Sequence, residues 1–194
     1  MKKTALAMAF AAASLLLQHC SNPAYQPELT SDTVKFFPVN LYIQGQIARV
    51  DSLADSIWQI NIDNNTGKKD TLLLTKRQFN KLAQYFLTYD ISDKKLHPYY
   101  KENTFADATT QSFAFNYTAL DNTLPLQTVD VLLDQTGRQL KNVFYNIAVT
   151  AKDSTIAEKA GWSNDKSFFI NRETTYNNNK TVARQTVIVW KFQP

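Results

Sequence analysis

The sequence contains few of the residues on which most metal and catalytic sites depend. Its 194 residues include one cysteine, two histidines and four glycines. A single cysteine excludes an intramolecular disulfide framework and any zinc site built from several thiolates. The four glycines are scattered, which excludes a glycine-rich loop that cradles phosphate. We therefore expect no metal and no cofactor.

Dense clusters of positive charge are also missing, although the formal net charge is +4. No run of five or more Lys and Arg occurs, and the lysine pairs at 68–69 and 94–95 stand alone. Proteins bind the phosphate backbone of nucleic acids through concentrated basic patches. The sequence therefore predicts no nucleic-acid partner.

The first twenty residues have the composition of an export signal. Lys2 and Lys3 precede an uncharged run at 4–17. A helix of that length spans about 21 Å, which is short of the roughly 30 Å hydrocarbon core of a bilayer. An export signal is therefore a better interpretation than a transmembrane helix.

The only cysteine of the chain lies just after this uncharged run. The sequence Leu17-Gln18-His19-Cys20 resembles the lipobox of bacterial lipoproteins, in which the cysteine is lipidated and becomes the first mature residue. Leu17 and Cys20 match that motif, whereas His19 stands where Gly, Ala or Ser is usual. The rest of the chain resembles small envelope lipoproteins that have no assigned function. An incidental cysteine in an ordinary signal peptide is the alternative.

The resemblance implies a lipid anchor on Cys20 and a location in the bacterial cell envelope. Several buried acyl chains, at about 0.8 kcal/mol per methylene group, hold a protein on a membrane permanently. Ser21 replaces the aspartate associated with inner-membrane retention, so the resemblance implies the outer membrane. No acidic cluster follows Cys20, which favours the periplasmic face. Loss of Lys2 and Lys3 with the signal leaves 19 basic and 17 acidic residues, a net charge of +2.

The chain divides into a signal peptide at 1–19, a lipidated cysteine with a flexible tether at 20–32, and one domain at 33–194. The tether is polar and has no periodicity. Its last twelve residues reach about 40 Å when extended. We predict an α+β domain in which one or two helices from its N-terminal half pack on a strand-rich antiparallel sheet.

Two segments of the domain have the periodicity of helices. The first runs from about Pro38 to Leu53, where apolar residues recur every three or four positions. The second begins at Thr75 and Gln78, whose spacing is typical of a capping box. It carries one apolar stripe, formed by Phe79, Leu82, Ala83, Phe86 and Leu87.

Most of the remaining segments alternate between apolar and polar residues, as strands with one covered face do. A hairpin is predicted over 58–74, and five further strands lie at about 113–117, 129–133, 143–149, 168–170 and 182–192. Turns join them without helical crossovers, which favours antiparallel pairing. The segment at 154–159 is predicted as a polar link with a helical turn, and 91–110 as a long loop.

This long loop is the sequence's best candidate for a contact surface. It contains His97, Tyr99, Tyr100 and Phe105 among several charged residues. Long ordered loops are enriched in function, and tyrosine is favoured at protein interfaces. The alternative is that the three aromatic residues fold back and cap the edge of the sheet.

No complete catalytic pattern occurs, so we predict a protein that is not an enzyme and assign no catalytic residue. The run from Gly161 to Asp165 has an aspartate in place of the second glycine of a serine-hydrolase elbow. The only histidine after the signal, His97, precedes a proline, which favours an extended loop backbone there. A lone loop histidine without a partner pattern is a weak candidate for a general base.

The sequence favours a non-catalytic lipoprotein that binds or scaffolds another component of the envelope. Its partners would be the membrane, through the lipid, and an unidentified envelope protein or apolar ligand. One alternative is a periplasmic carrier that holds a lipid or other apolar molecule in an enclosed cavity between the helices and the sheet. The other is an anchored hydrolase that acts through carboxylates or through Ser163 and His97.

Overall fold

The computed structural model describes residues 36–107, 109 and 111–192, without the side chain of Asp107. Strands contain 53% of these residues and helices 19%, so the body is broadly α+β and strand-rich, as predicted. The predicted signal peptide at 1–19, the lipidation site Cys20 and the tether up to residue 32 lie outside the described residues.

Both predicted helices are present. Helix α1 spans Val39–Leu53, and helix α2 spans Lys76–Ala83 and continues as a 3-10 helix over Gln84–Leu87. The Thr75 hydroxyl accepts the backbone N–H of Gln78, whose side chain in turn accepts the N–H of Thr75, so the capping box is confirmed. No helix in the described part of the chain is long and apolar enough to cross a membrane.

In the part of the chain that the structure describes, nine strands form one sheet in which every neighbouring pair is antiparallel, which confirms the predicted pairing. They are β1 Ala54–Asp63, β2 Lys69–Leu73, β3 Tyr100–Asp107, β4 Ser112–Ala119, β5 Leu126–Asp134, β6 Leu140–Thr150, β7 Ser154–Ser163, β8 Ser167–Tyr176 and β9 Thr181–Phe192. Their order across the sheet is β2-β1-β9-β8-β7-β6-β5-β4-β3. Strands β3 to β9 therefore form one continuous meander, and β1 lies beside its last strand.

Two of these strands contradict the expectations for their segments. The predicted link at 154–159 is the first half of β7, and the predicted loop at 91–110 contains β3 from Tyr100 onward. In the first half of β7 the buried positions are Ser154 and Glu158, so this half lacks the buried apolar residues that mark a strand. Among the described side chains of β3, only Tyr100 is buried, because this strand lies at the edge of the sheet.

The hydrophobic core lies on one face of the sheet and is rich in aromatic rings. Phe79 of α2 contacts Trp162, Phe168 and Trp190, with ring centroids 6.5, 5.9 and 5.6 Å apart. Phe86 follows in the 3-10 helix, with its ring 5.2 Å from that of Trp162. These separations are typical of favourable edge and offset contacts between aromatic rings. The helical segment after β2 therefore contributes directly to the core of the sheet.

Helix α1 is fixed to the turn between β7 and β8 by three side chains on one helix face. The Tyr42 hydroxyl donates to Asn164 Oδ1 over 2.6 Å, and the backbone N–H of Asp165 donates to Gln46 Oε1 over 2.9 Å. Arg49 forms a 3.0 Å ion pair with Asp165. Positions three and four residues apart lie on the same side of a helix. These bonds therefore set the position of α1 relative to the strands.

Candidate binding groove

A groove opens on the core face of the sheet, next to the buried aromatic residues. Alternate residues of β8 and β9 and the turn between these strands form it, and its volume is about 610 Å³. Its lining residues are Arg172, Thr174, Tyr176, Asn178, Lys180, Val182 and Arg184. We call this feature the β8–β9 groove.

The β8–β9 groove continues the same face that carries the core. Arg172 lies four residues after buried Phe168 on β8, and Arg184 lies four residues before buried Ile188 on β9. Side chains alternate along a strand, so residues four positions apart face the same side. The face therefore changes from apolar and buried to basic and open over about 13 Å of strand.

Arg172 and Arg184 are directly opposite each other on neighbouring strands. Like charges in this relation repel and destabilise the pairing of strands. Each arginine has an acidic residue on its other side, because Glu158 of β7 pairs with Arg172 and Asp63 of β1 pairs with Arg184. Four charged residues thus form one line across four strands in the order acid, base, base, acid. We call this line the charged row.

The half of the charged row that contains Arg172 is fully paired. The Arg172 guanidinium lies 3.0 Å from one oxygen of Glu158, and the hydroxyl of Tyr85 donates to the other oxygen over 2.8 Å. The Glu158 side chain is only 8% exposed. Burial first, and then the bond to Glu158, raises the pKa of Tyr85 above its usual value of 10.0, so its hydroxyl remains a donor beyond the pH at which a free tyrosine ionises. These contacts fix the position of Arg172.

The half that contains Arg184 is only loosely paired. Asp63 accepts the backbone N–H groups of Asn65 and Thr66 over 3.0 Å each. The bond from Thr66 is the main cause of the lowered pKa of Asp63, with a smaller contribution from the charge of Arg184. No carboxylate among the described residues lies within 4.0 Å of the Arg184 guanidinium. Arg184 is exposed, so it can reach a ligand.

A third basic residue lies at the other end of the β8–β9 groove. The backbone N–H of Tyr176 donates to the carbonyl of Lys180 over 2.9 Å, which closes the turn there. Between the two ends, Thr174 pairs with Val182 and provides one hydroxyl and one apolar side chain. The described residues that line the groove therefore include three bases and no acid. This arrangement favours an anionic ligand.

The predicted contact residues do not share one surface. The ring of His97 packs against Phe36, with centroids 4.1 Å apart, and Tyr100 is buried with its hydroxyl bonded to a backbone carbonyl of β5 over 2.8 Å. Tyr99 and Phe105 are 53% and 57% exposed. Half of this set thus packs in the protein and half faces solvent. A contact role for the exposed half stays a prediction.

The residues named for a hydrolase have other partners in the structure. The Ser163 hydroxyl donates to Asn142 Oδ1 over 2.8 Å, and Ser163 follows buried Trp162, so it faces away from the core. His97 instead contacts Phe36, which belongs to the core. Among the residues that the structure describes, no group of three or more His, Cys, Asp or Glu is placed to hold a metal ion.

No protein-family model, no curated protein and no solved structure matches the chain. Function must therefore be inferred from the sequence pattern and from the geometry of the β8–β9 groove.

The arginines of the β8–β9 groove were not predicted from the sequence, although a signal for them exists. Arg172 and Arg184 lie six residues before and six residues after Asn178, which is the centre of the Asn-rich turn. Counting outward from a tight turn pairs the two arginines in an antiparallel hairpin. Whether other parts of the chain cover this pair depends on elements far away in the sequence, and no local pattern indicates it.

Proposed function

We propose that the protein is a lipid-anchored, non-catalytic binding protein of the bacterial cell envelope, and that its ligand occupies the β8–β9 groove. The observation that carries this proposal is the opposed pair of Arg172 and Arg184, of which only Arg172 is in an ion pair with a described residue. Opposed like charges cost stability. Such an arrangement is typical of a surface whose complementary charge comes from a partner.

The anchor in this proposal is supported by the N-terminal sequence. Two lysines at the start, an uncharged run after them and Cys20 just beyond that run together resemble a lipoprotein signal. Cys20 would carry the lipid, the segment to residue 32 would be the tether, and 33–194 would be the binding domain. Ser21 after the cysteine favours the outer membrane, with the domain on its periplasmic side.

The packing of the core favours binding at the surface over carriage of an apolar ligand inside the protein. In this proposal α1 and α2 form the layer that covers the core face of the sheet. The ring of Phe79 lies within 6.5 Å, centroid to centroid, of the rings of Trp162, Phe168 and Trp190. Aromatic side chains thus occupy the region between helix and sheet in which a carried lipid would have to lie.

The anchor is tested by replacing the lipidation site. We expect Cys20→Ala to abolish labelling by radioactive palmitate and to release the protein from the membrane fraction. Ser21→Ala is the matched control, and it should remain labelled and membrane-bound. Membrane retention and lipid labelling that persist in Cys20→Ala would contradict the anchor.

The binding surface is tested by site-specific photocrosslinking in intact cells. A photoreactive amino acid at Asn178, on the rim of the β8–β9 groove, should give a discrete adduct, and Arg184→Gln should reduce its yield. The control position is Thr71 on exposed strand β2, which should give no such adduct. Absence of an adduct at Asn178, or the same adduct from Thr71, would contradict the proposed binding surface.

A further inference from the structure

We propose that the β8–β9 groove binds an extended acidic peptide segment of a partner protein, in which two acidic residues four positions apart flank a small apolar residue. This inference rests on the proposed function, because it specifies the ligand of the same groove. The spacing of charges along the groove, the availability of Arg184 and the acidic ends of the charged row support it.

Cross-strand neighbours divide the groove into three rows. The rows are the pair Arg172 and Arg184, the pair Thr174 and Val182, and the turn-closing pair Tyr176 and Lys180. Successive rows lie two residues apart, which is about 6.6 Å along a strand. The basic first row is therefore about 13 Å from Lys180 in the third row, and a less polar row lies between them.

An extended peptide repeats its side chains at the same spacing as the rows of the groove. Its residues i, i+2 and i+4 face one side, and i and i+4 are about 13 Å apart. Acidic residues at i and i+4 can therefore meet the arginine row and Lys180, while residue i+2 meets Thr174 and Val182. The groove volume of about 610 Å³ lies in the range of ligand pockets and provides more room than one ion needs.

The two arginines are suited to different parts of this recognition. Arginine presents a planar fork of donors that binds carboxylates through two parallel hydrogen bonds. Arg172 is already positioned by Glu158, so its remaining donors lie in a fixed place at the first row. Arg184 has no ion pair with a described residue, so its side chain can adjust to the carboxylate of a ligand. A carboxylate at the first row would also reduce the repulsion between the two arginines.

The acidic ends of the charged row limit how an acidic peptide can lie. Glu158 and Asp63 flank the two arginines on the neighbouring strands β7 and β1. A peptide that crossed the strands would place its own carboxylates against these two residues, and like charges in contact are unfavourable. The peptide is therefore directed along β8 and β9, which is the direction in which the i, i+4 spacing fits.

The experiment measures the binding of fluorescent nonapeptides to the full-length protein, purified in detergent, by fluorescence anisotropy. The test peptide is Thr-Ser-Glu-Thr-Val-Thr-Glu-Thr-Ser. One control peptide replaces both glutamates by glutamine, and a second control moves the second glutamate one position closer to the first. We expect the test peptide to bind about tenfold more tightly than the glutamine peptide, as for the loss of a charged hydrogen bond. The shortened spacing should bind more weakly, and added salt should weaken binding of the test peptide.

A variant of Arg184 tests whether the peptide binds in the groove. Because Arg184 is exposed and forms no ion pair with a described residue, Arg184→Gln should leave the fold intact and weaken binding about tenfold. Arg184→Lys should retain part of the affinity, because the positive charge is kept. The control variant is Arg77→Gln on α2, which changes the net charge equally at an exposed site. It should bind the test peptide as tightly as the wild type does.

The outcomes separate this inference from the function on which it rests. Equal binding of the glutamate and glutamine peptides, or equal losses in Arg77→Gln and Arg184→Gln, would overturn the acidic-peptide inference. If Asn178 still forms an Arg184-dependent adduct in cells, the binding function stands and only the ligand class is wrong. If Asn178 forms no adduct and no peptide binds, both proposals fail.

Discussion

The hydroxyl of Tyr85 donates a hydrogen bond to the carboxylate of Glu158 that connects the helical segment after β2 to the charged row of the sheet. The bond is 2.8 Å long and joins residues 73 positions apart in the chain. The other oxygen of Glu158 pairs with Arg172. The geometry of the β8–β9 groove therefore depends on a side chain that does not line it.

Tyr85→Phe tests this connection directly. The change leaves the ring in place and removes one of the two partners of a buried carboxylate. Hydrogen bonds to charged groups contribute about 1.5–3 kcal/mol, so we expect the free energy of unfolding in urea to fall by that amount. Tyr99→Phe, at a 53% exposed position, should change it by less than about 0.5 kcal/mol. Equal effects of the two variants would contradict the structural role of the Tyr85 hydroxyl.

Gly161 allows two phenylalanine rings to approach each other across the outer face of the sheet. Phe144 and Phe169 flank it on β6 and β8, with ring centroids 6.4 Å apart. A Cβ atom at Gly161 would lie 2.5 Å from Phe169 Cε1 and 2.8 Å from Phe144 Cδ1. A side chain at this position therefore requires at least one ring to move.

We expect Gly161→Ala to lower the free energy of unfolding by about 1–3 kcal/mol, the usual cost of an overpacked site. The matched control is Gly45→Ala in α1, where an added Cβ meets no atom within 4 Å. There alanine should stabilise the helix by about 1 kcal/mol. Urea denaturation of both variants measures the two changes in the free energy of unfolding. If both variants were stabilised, or both destabilised, the steric explanation would be contradicted.

The elements that the sequence predicted correctly are those with a strong local signal. The spacing of Val39, Ile43, Ile47 and Val50 matches the buried side of α1, and the Thr75 capping box marks the start of α2. Strand β7 was missed because inward positions hold polar residues that are satisfied by distant partners. Glu158, for example, is buried against Tyr85 and Arg172, and neither lies near it in the sequence.

The candidate groove was harder to predict than the fold for a related reason. Arg172 and Arg184 have the pattern of ordinary exposed strand residues, and their opposition follows only from the register of β8 and β9. The contact loop had an attractive composition, yet Tyr100 in it begins β3 and is buried, with its hydroxyl bonded to a carbonyl of β5. Composition indicates which residues suit an interface, whereas pairing and burial decide which of them reach solvent together.

Phe79 connects α2 to three aromatic residues of the sheet, so it should be among the most costly positions to truncate. It is completely buried. Phe79→Ala should lower the free energy of unfolding by about 3–5 kcal/mol, because the surrounding rings can fill the cavity only in part. Leu41→Ala, at a 69% exposed position of α1, should change it by less than about 0.5 kcal/mol. Similar losses in urea denaturation would show that Phe79 is not part of the core.

Tyr145 makes the stability of the protein sensitive to alkaline pH. Burial first, and the charge of Asp90 second, raises the pKa of its hydroxyl above the usual value of 10.0. The unfolded chain therefore ionises this group near pH 10.0, whereas the folded protein keeps it neutral until a higher pH. Its contribution to stability is fully present below pH 10.0 and is lost as the pH rises toward the folded pKa.

Tyr145→Phe isolates this contribution. The Tyr145 hydroxyl has no hydrogen-bond partner among the described residues, so its removal at pH 7 should leave the free energy of unfolding unchanged or higher. Above pH 10.0 the variant should lose stability less steeply than the wild type, because the unfolded state no longer gains from ionising this side chain. Some decline should remain, since burial also raises the pKa of Tyr100. Urea denaturation at several pH values measures both slopes, and equal slopes would contradict the burial of a neutral Tyr145.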